Sequence, residues 1–149
     1  MKEYGVMKMA KTIEDAIELA TEAHRGQTDK NGEAYIYHPL RVMLAVQTDY
    51  EKKVAVMHDI IEDTKWTIED LAVEGFSNEI IKAVKIMSKK KNQPYMEYLE
   101  IVKADPIARS VKVADIRDNS SPIRLFKLDP PTVSRLSLKY AKGLQYLLN

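Results

Sequence analysis

The sequence predicts an all-α protein, an irregular bundle of seven or eight helices. Three observations carry that expectation. Apolar residues recur at three- and four-residue spacing in segment after segment. Only 5 glycines and 6 prolines punctuate the 149 residues, and most stand at plausible helix ends. No pair of segments alternates as strands do; "YIY" (residues 35–37) could be extended, but one strand makes no sheet.

The first helix opens at Thr12, in a cap of the form T-I-E-D, and carries Ile13, Ala16, Ile17 and Ala20 on one face. "RGQTDKNGEAYIY" is rich in turn formers and reads as a loop. Pro39 suits the first position of a second helix, "PLRVMLAVQ". Asp49 can cap a third helix running to about Asp63. Thr67 repeats the cap pattern in "TIED", and Ser77 opens "NEIIKAVKIMS". "KKKNQ" is a polar connector. Pro94 begins "PYMEYLEIVKA", Asp105 and Pro106 start "PIARSVKVADIRDN", and after "SSPIRLFKLDPP" a last helix runs "TVSRLSLKYAKGLQYLL". No heptad is sustained, so the bundle is not a coiled coil.

The length suits one domain, 1–149, with a single real core. A net charge of +1 gives no whole-molecule field to recruit nucleic acid or membrane. The run Lys89, Lys90, Lys91 lacks interleaved aromatics and reads as a solvated turn. Without cysteine there are no disulfides and no thiolate metal sites. The N-terminal residues lack the apolar stretch of a signal peptide, and no run is long enough for a membrane span, so a cytoplasmic location is expected. Oligomeric state is not readable.

Chemistry concentrates in "VAVMHDIIEDTKWT", residues 54–67. On a helical wheel starting at Val54, His58, Glu62, Asp59 and Asp63 fall at about 40°, 80°, 140° and 180°. Ala55 is the one apolar residue inside that arc. Most polar arcs are solvated faces, but those mix charge signs. Here three carboxylates crowd about one turn with no basic partner among them, a cost that a divalent cation would turn into binding. His58 and Asp59 can lean toward one point. A site needs more ligands. His38, before a proline at the start of the second helix, and Asp115, among Val111, Val113 and Ala114, are the candidates. A carboxylate in apolar surroundings is costly unless paired or metal-bound. His24 reads as a structural hydrogen-bonding residue.

"HRGQTDKNGEAYIYHP", "MHDIIEDT" and "VKVADIRDN", in that order, resemble the HD superfamily of metal-dependent phosphohydrolases, and within it the (p)ppGpp hydrolases: the hydrolase domain of Rel/Spo homologues and the small alarmone hydrolases. The resemblance runs from about Ile13 to Leu125. It implies an HD-type fold, one Mn²⁺ per chain held by His38, His58, Asp59 and Asp115, and a catalytic pair Glu62 and Asp63. It implies that Lys30 lies on the phosphate side and Asn119 on the ribose side. Arg124 in "SPIRL" and Tyr140 in "LKYAKG" read as pocket-lining residues. The implied reaction removes the 3′-pyrophosphate of ppGpp or pppGpp. In this family the position of Asp29 commonly holds an arginine that packs on guanine, so the sequence predicts altered base recognition. Two other readings stand beside this one: a phosphohydrolase for another nucleotide such as NADPH, and a non-catalytic metal- or nucleotide-binding module. Lys112 reads as an ordinary surface charge.

Overall fold

The computed structural model describes residues 10–149; the N-terminal residues 1–9, where the sequence predicts no signal peptide, lie outside the described residues. Ten helices follow one another among the described residues: α1 (Ile13–Ala23), α2 (Tyr37–Leu44), α3 (Asp49–Met57), α4 (Ile60–Asp63), α5 (Ile68–Glu74), α6 (Asn78–Met87), α7 (Tyr95–Ala104), α8 (Pro106–Asn119), α9 (Pro122–Leu125) and α10 (Pro130–Leu148). The chain is all-α, and among the described residues the one trace of sheet is an isolated bridge between Thr28 and Ala34. No helix among the described residues is long and apolar enough to cross a membrane.

Local chemistry sets the helix starts. Thr12, Thr48 and Thr67 each form a reciprocal capping box with the acid three residues on, worth about 0.5–2 kcal/mol apiece. The box moves the start of α3: Thr48, not Asp49, is its cap, because Glu51 reaches back to the Thr48 N–H at 2.9 Å. Asp105 caps α8 by accepting the Ala108 N–H at 2.9 Å, with Pro106 as the first helical residue.

Two differences from the sequence reading raise the helix count. The segment from Asp49 to Asp63 is two helices, not one. At His58 the N–H reaches back only to Ala55 O, and Asp59 lies outside both helices with φ −99° and ψ −4°. The second addition, α9, is a single turn started by Pro122, too short to show a helical repeat. At the start of α2 the chain is helical from Tyr37, so Tyr37 is not extended and Pro39 is the third helical residue rather than the first.

The third helix is the hub. Val54, Ala55, Val56 and Met57 are all fully buried, so its C-terminal turn has no solvated face. Helices α1, α2, α6 and α8 pack around it. The polar arc is therefore divided: the turn of residues 54–57 is buried, and Glu62 and Asp63 follow on α4 at the surface. α10 closes the bundle against α7 and α8 through Gly143, where an added Cβ would lie 3.0 Å from Tyr95 Oη and 3.2 Å from Ile116 Cδ1. Gly143→Val should therefore lower stability by about 1–3 kcal/mol, read as a fall in thermal midpoint. An unchanged midpoint would show that this contact has slack.

Candidate metal centre and substrate cavity

Four side chains from three parts of the fold meet at the C-terminal end of α3. His38 comes from α2, His58 and Asp59 from the break between α3 and α4, and Asp115 from α8. The break is what lets adjacent residues aim together. In a continuous helix they would diverge by about 100°, but here His58 Nε2 and Asp59 Oδ2 are 3.0 Å apart. Asp115 Oδ1 lies 2.9 Å from His38 Nε2 and 3.2 Å from His58 Nε2. His38 Nε2 is 3.6 Å from Asp59 Oδ2, and the ligand atoms of His38, His58 and Asp59 lie within 4.8 Å of one another.

The far side of each imidazole assigns its tautomer. His38 Nδ1–H donates to Asp118 Oδ2 at 2.6 Å, and His58 Nδ1–H donates to the Ala55 carbonyl at 2.6 Å. In the neutral imidazoles both Nε2 atoms then carry lone pairs toward two carboxylates. Both histidines are 2% exposed and Asp115 3%, so water does little to screen four confronting acceptors. Such a set suits a divalent cation: ligand bonds of roughly 2.1 Å put neighbouring ligand atoms roughly 3.0–3.4 Å apart. An outer partner on each histidine is the arrangement that orients metal ligands. The pocket also draws protons: burial opposes charge on His58, but Asp59 and Asp115 overcome it and hold the imidazole well above its ordinary pKa.

Three residues that the sequence reading missed, or took for surface charge, build the surroundings. Asp118 accepts from His38, from Arg41 Nε at 2.7 Å and from Arg124 Nη1 at 3.2 Å. Burial alone would raise its pKa, yet the bonds from His38 and Arg41 hold it well below the usual carboxylate range. Lys112 is not a surface charge. Its ammonium donates to Asp115 Oδ2 at 2.8 Å and lies 5.1 Å from the Tyr98 ring centre. Burial pulls its pKa down, but Asp115 outweighs that and holds it well above the ordinary value. Tyr35, also unforeseen, donates its hydroxyl to Asp59 Oδ2 at 2.5 Å. The clue for Tyr35 was its place in "YIYHP"; for Asp118 it was the second aspartate of "DIRDN".

Glu62 and Asp63 stand at the solvent rim of the cluster, on α4. Glu62 Oε1 accepts the Lys89 backbone N–H at 2.6 Å, so the lysine run bends around the rim. Partial burial and then the Asp59 charge raise the Glu62 pKa. Burial, Asp59 and Glu62 push Asp63 up to about 6. His24 has the structural bond expected of it: Nδ1–H donates to Gln27 Oε1 at 2.6 Å, and Gln27 Nε2 donates to the Asp63 carbonyl at 3.3 Å.

Beside the cluster is a cavity of about 230 Å³ lined by Asp29, Lys30, Asn119, Arg124 and Tyr140, with Tyr35 toward the histidines. The five residues expected to line the pocket thus share one cavity wall. Asn119 joins cavity to cluster, donating from Nδ2 to Asp115 Oδ1 at 3.1 Å. Asp29 commits one oxygen to its own loop, accepting the N–H groups of Asn31 at 2.8 Å and Glu33 at 3.0 Å. Gly32 completes that turn at φ +81°, a conformation that other residues rarely adopt.

Removing the Asp118 carboxylate frees His38 to rotate and to change tautomer. Asp118→Ala should weaken divalent-metal binding by about 10- to 100-fold, measured by titration calorimetry. Wild-type affinity in this variant would show that the outer bond does not orient His38.

No protein-family model matches the chain. A protein of Aquifex aeolicus named guanosine-3′,5′-bis(diphosphate) 3′-pyrophosphohydrolase is 33% identical over 130 residues, 79% of this chain and 18% of that protein. Escherichia coli SpoT, named a bifunctional (p)ppGpp synthase/hydrolase, is 37% identical over 83 residues, 53% of this chain and 12% of that protein. The chain thus spans less than a fifth of the length of these curated relatives. A solved structure described as a metazoan ortholog of SpoT that hydrolyses ppGpp has a TM-score of 0.77 at 19% identity, covering 97% of this chain and 89% of that one. It shares the fold, and the sequence relatives carry the likeness further: the chain belongs to the HD-domain (p)ppGpp hydrolase family.

Proposed function

We propose that residues 1–149 form one HD phosphohydrolase domain that removes the 3′-pyrophosphate of ppGpp or pppGpp, leaving GDP or GTP. The observation that carries this reading is the join between a buried His-His-Asp-Asp cluster and a cavity lined by Lys30, Arg124 and Tyr140, bridged by Asn119. The proposed ion is Mn²⁺, one per chain, on His38, His58, Asp59 and Asp115. Mixed imidazole and carboxylate donors without thiolate suit such a borderline metal. When bound, a divalent ion supplies Lewis acidity and a more acidic water.

The remaining chemistry falls to the chain. Glu62, at the rim and with a raised pKa, is the proposed general base: it takes a proton from the attacking water as the water's oxygen bonds to phosphorus and the 3′ O–P bond breaks, the departing 3′ oxygen taking up a proton from solvent. Asp63 holds the water or the base. Lys30, on the cavity wall, neutralises phosphate charge, and Asn119 and Tyr140 position the ribose. The partner is a small nucleotide, and the location consistent with such a substrate is the cytoplasm. A second reading, hydrolysis of another nucleotide such as NADPH, is favoured by Asp29, which puts a carboxylate on the wall where a base would sit. A rate comparison of the Mn²⁺-loaded chain on ppGpp, pppGpp and NADPH separates the two.

Asp59→Ala should lose metal and activity together; full metal content by elemental analysis would remove Asp59 from the ligand set. Glu62→Gln should retain metal and lose about 10²- to 10⁴-fold in kcat. Near-native kcat would assign the base to another group.

A further inference from the structure

Arg124 is the cation of the cavity wall that the proposed chemistry does not use. It is largely buried, with 16% of its side chain exposed, and carboxylates hold it from two directions. Its Nη1 donates to Asp118 Oδ2 at 3.2 Å, and its Nε stands 4.0 Å from Asp29 Oδ2. Its backbone is fixed as well, since Asn31 Nδ2 donates to the carbonyls of Ile123 and Arg124 at 3.2 and 3.1 Å. The loop that carries Asp29 is therefore tied to α9 at two levels. The same cavity has an apolar side, formed by Leu125, Leu128 and Leu136.

This wall has a specific electrostatic character. The Arg124 guanidinium faces two carboxylates, one of them shared with Arg41, so its charge is largely matched within the wall. Lys30, on the same cavity, is the group suited to a phosphate. What Arg124 can still offer is its flat, weakly hydrated face beside aliphatic side chains, a surface for a planar ring rather than for an anion. Asp29 then acts on the ligand only through Arg124, since its other oxygen is taken by the Asn31 and Glu33 N–H groups.

We propose that Arg124, clamped by Asp29 and Asp118, is the specificity-determining residue that receives the nucleobase, and that Asp29 positions it. The inference rests on the nucleotide-hydrolase reading above and deepens it. It assigns the charged end of the cavity to phosphate and ribose, and the clamped guanidinium to a planar base.

The test uses equilibrium binding by the Mn²⁺-loaded full chain, with GDP and ribose 5-phosphate as probes, so it does not depend on turnover. Wild type should bind GDP more tightly than ribose 5-phosphate. Arg124→Lys keeps the charge between the two carboxylates and removes the plane. It should weaken GDP binding by about fivefold or more and leave ribose 5-phosphate within about twofold. Asp29→Asn should shift GDP binding in the same direction. If wild type does not prefer GDP, or if Arg124→Lys weakens both probes equally or neither, Arg124 does not read the base. If GDP discrimination follows Arg124 while wild type fails to hydrolyse ppGpp, this assignment stands and the hydrolase reading falls.

Discussion

Two imidazole Nε2 atoms and two carboxylates are held facing one another in a pocket nearly closed to water, and much of the fold serves that confrontation. Acceptors at 2.9–3.6 Å repel unless positive charge lies among them. The surrounding structure keeps them from swinging away. Asp118 and the Ala55 carbonyl hold the outer nitrogens of the histidines, Lys112 holds the outer oxygen of Asp115, and Tyr35 binds Asp59. The fully buried turn Val54–Met57 fixes the platform from which His58 and Asp59 project. Deleting an outer partner would thus loosen the cluster without removing a ligand.

The second organising feature is the change in environment over a few residues. His58 is sealed in the interior, while Glu62 and Asp63, one turn on, reach solvent. The interruption between α3 and α4 produces that change. It turns the chain outward after Asp59, so carboxylates of the same short segment sit in different environments. Interior ones suit a cation; rim ones, with pKa values raised by burial and by the Asp59 charge, suit proton transfer. The cavity continues the arrangement laterally. Asn119 touches Asp115 on one side and lines the cavity on the other.

Much of this was legible in the sequence because the signals were local. The caps at Thr12, Thr67 and Asp105 depend on residues three apart, and the structure shows all three. The gathering of His38, His58, Asp59 and Asp115 was expected from the uncompensated acids and from the family resemblance. What stayed hidden depends on tertiary context. Lys112 has the sequence surroundings of any surface lysine, and only the packing of α8 brings Tyr98 beneath its ammonium. Asp118 is one of several acids in its segment until Arg41, Arg124 and His38 converge on it from α2 and α9. The helix break at His58 carries no glycine or proline, so periodicity ran straight through it. Asp29 was visible as a departure, but its use as an anchor for Arg124 requires contacts across about a hundred residues.

The most direct test of the central claim, water attack on the 3′-pyrophosphate at this cluster, is hydrolysis of ppGpp by the Mn²⁺-loaded chain in ¹⁸O-water, with mass analysis of the products. The account predicts GDP and pyrophosphate, with the label in pyrophosphate and none in GDP. Unchanged ppGpp beside a metal-loaded chain, release of orthophosphate alone, or label in GDP would contradict it.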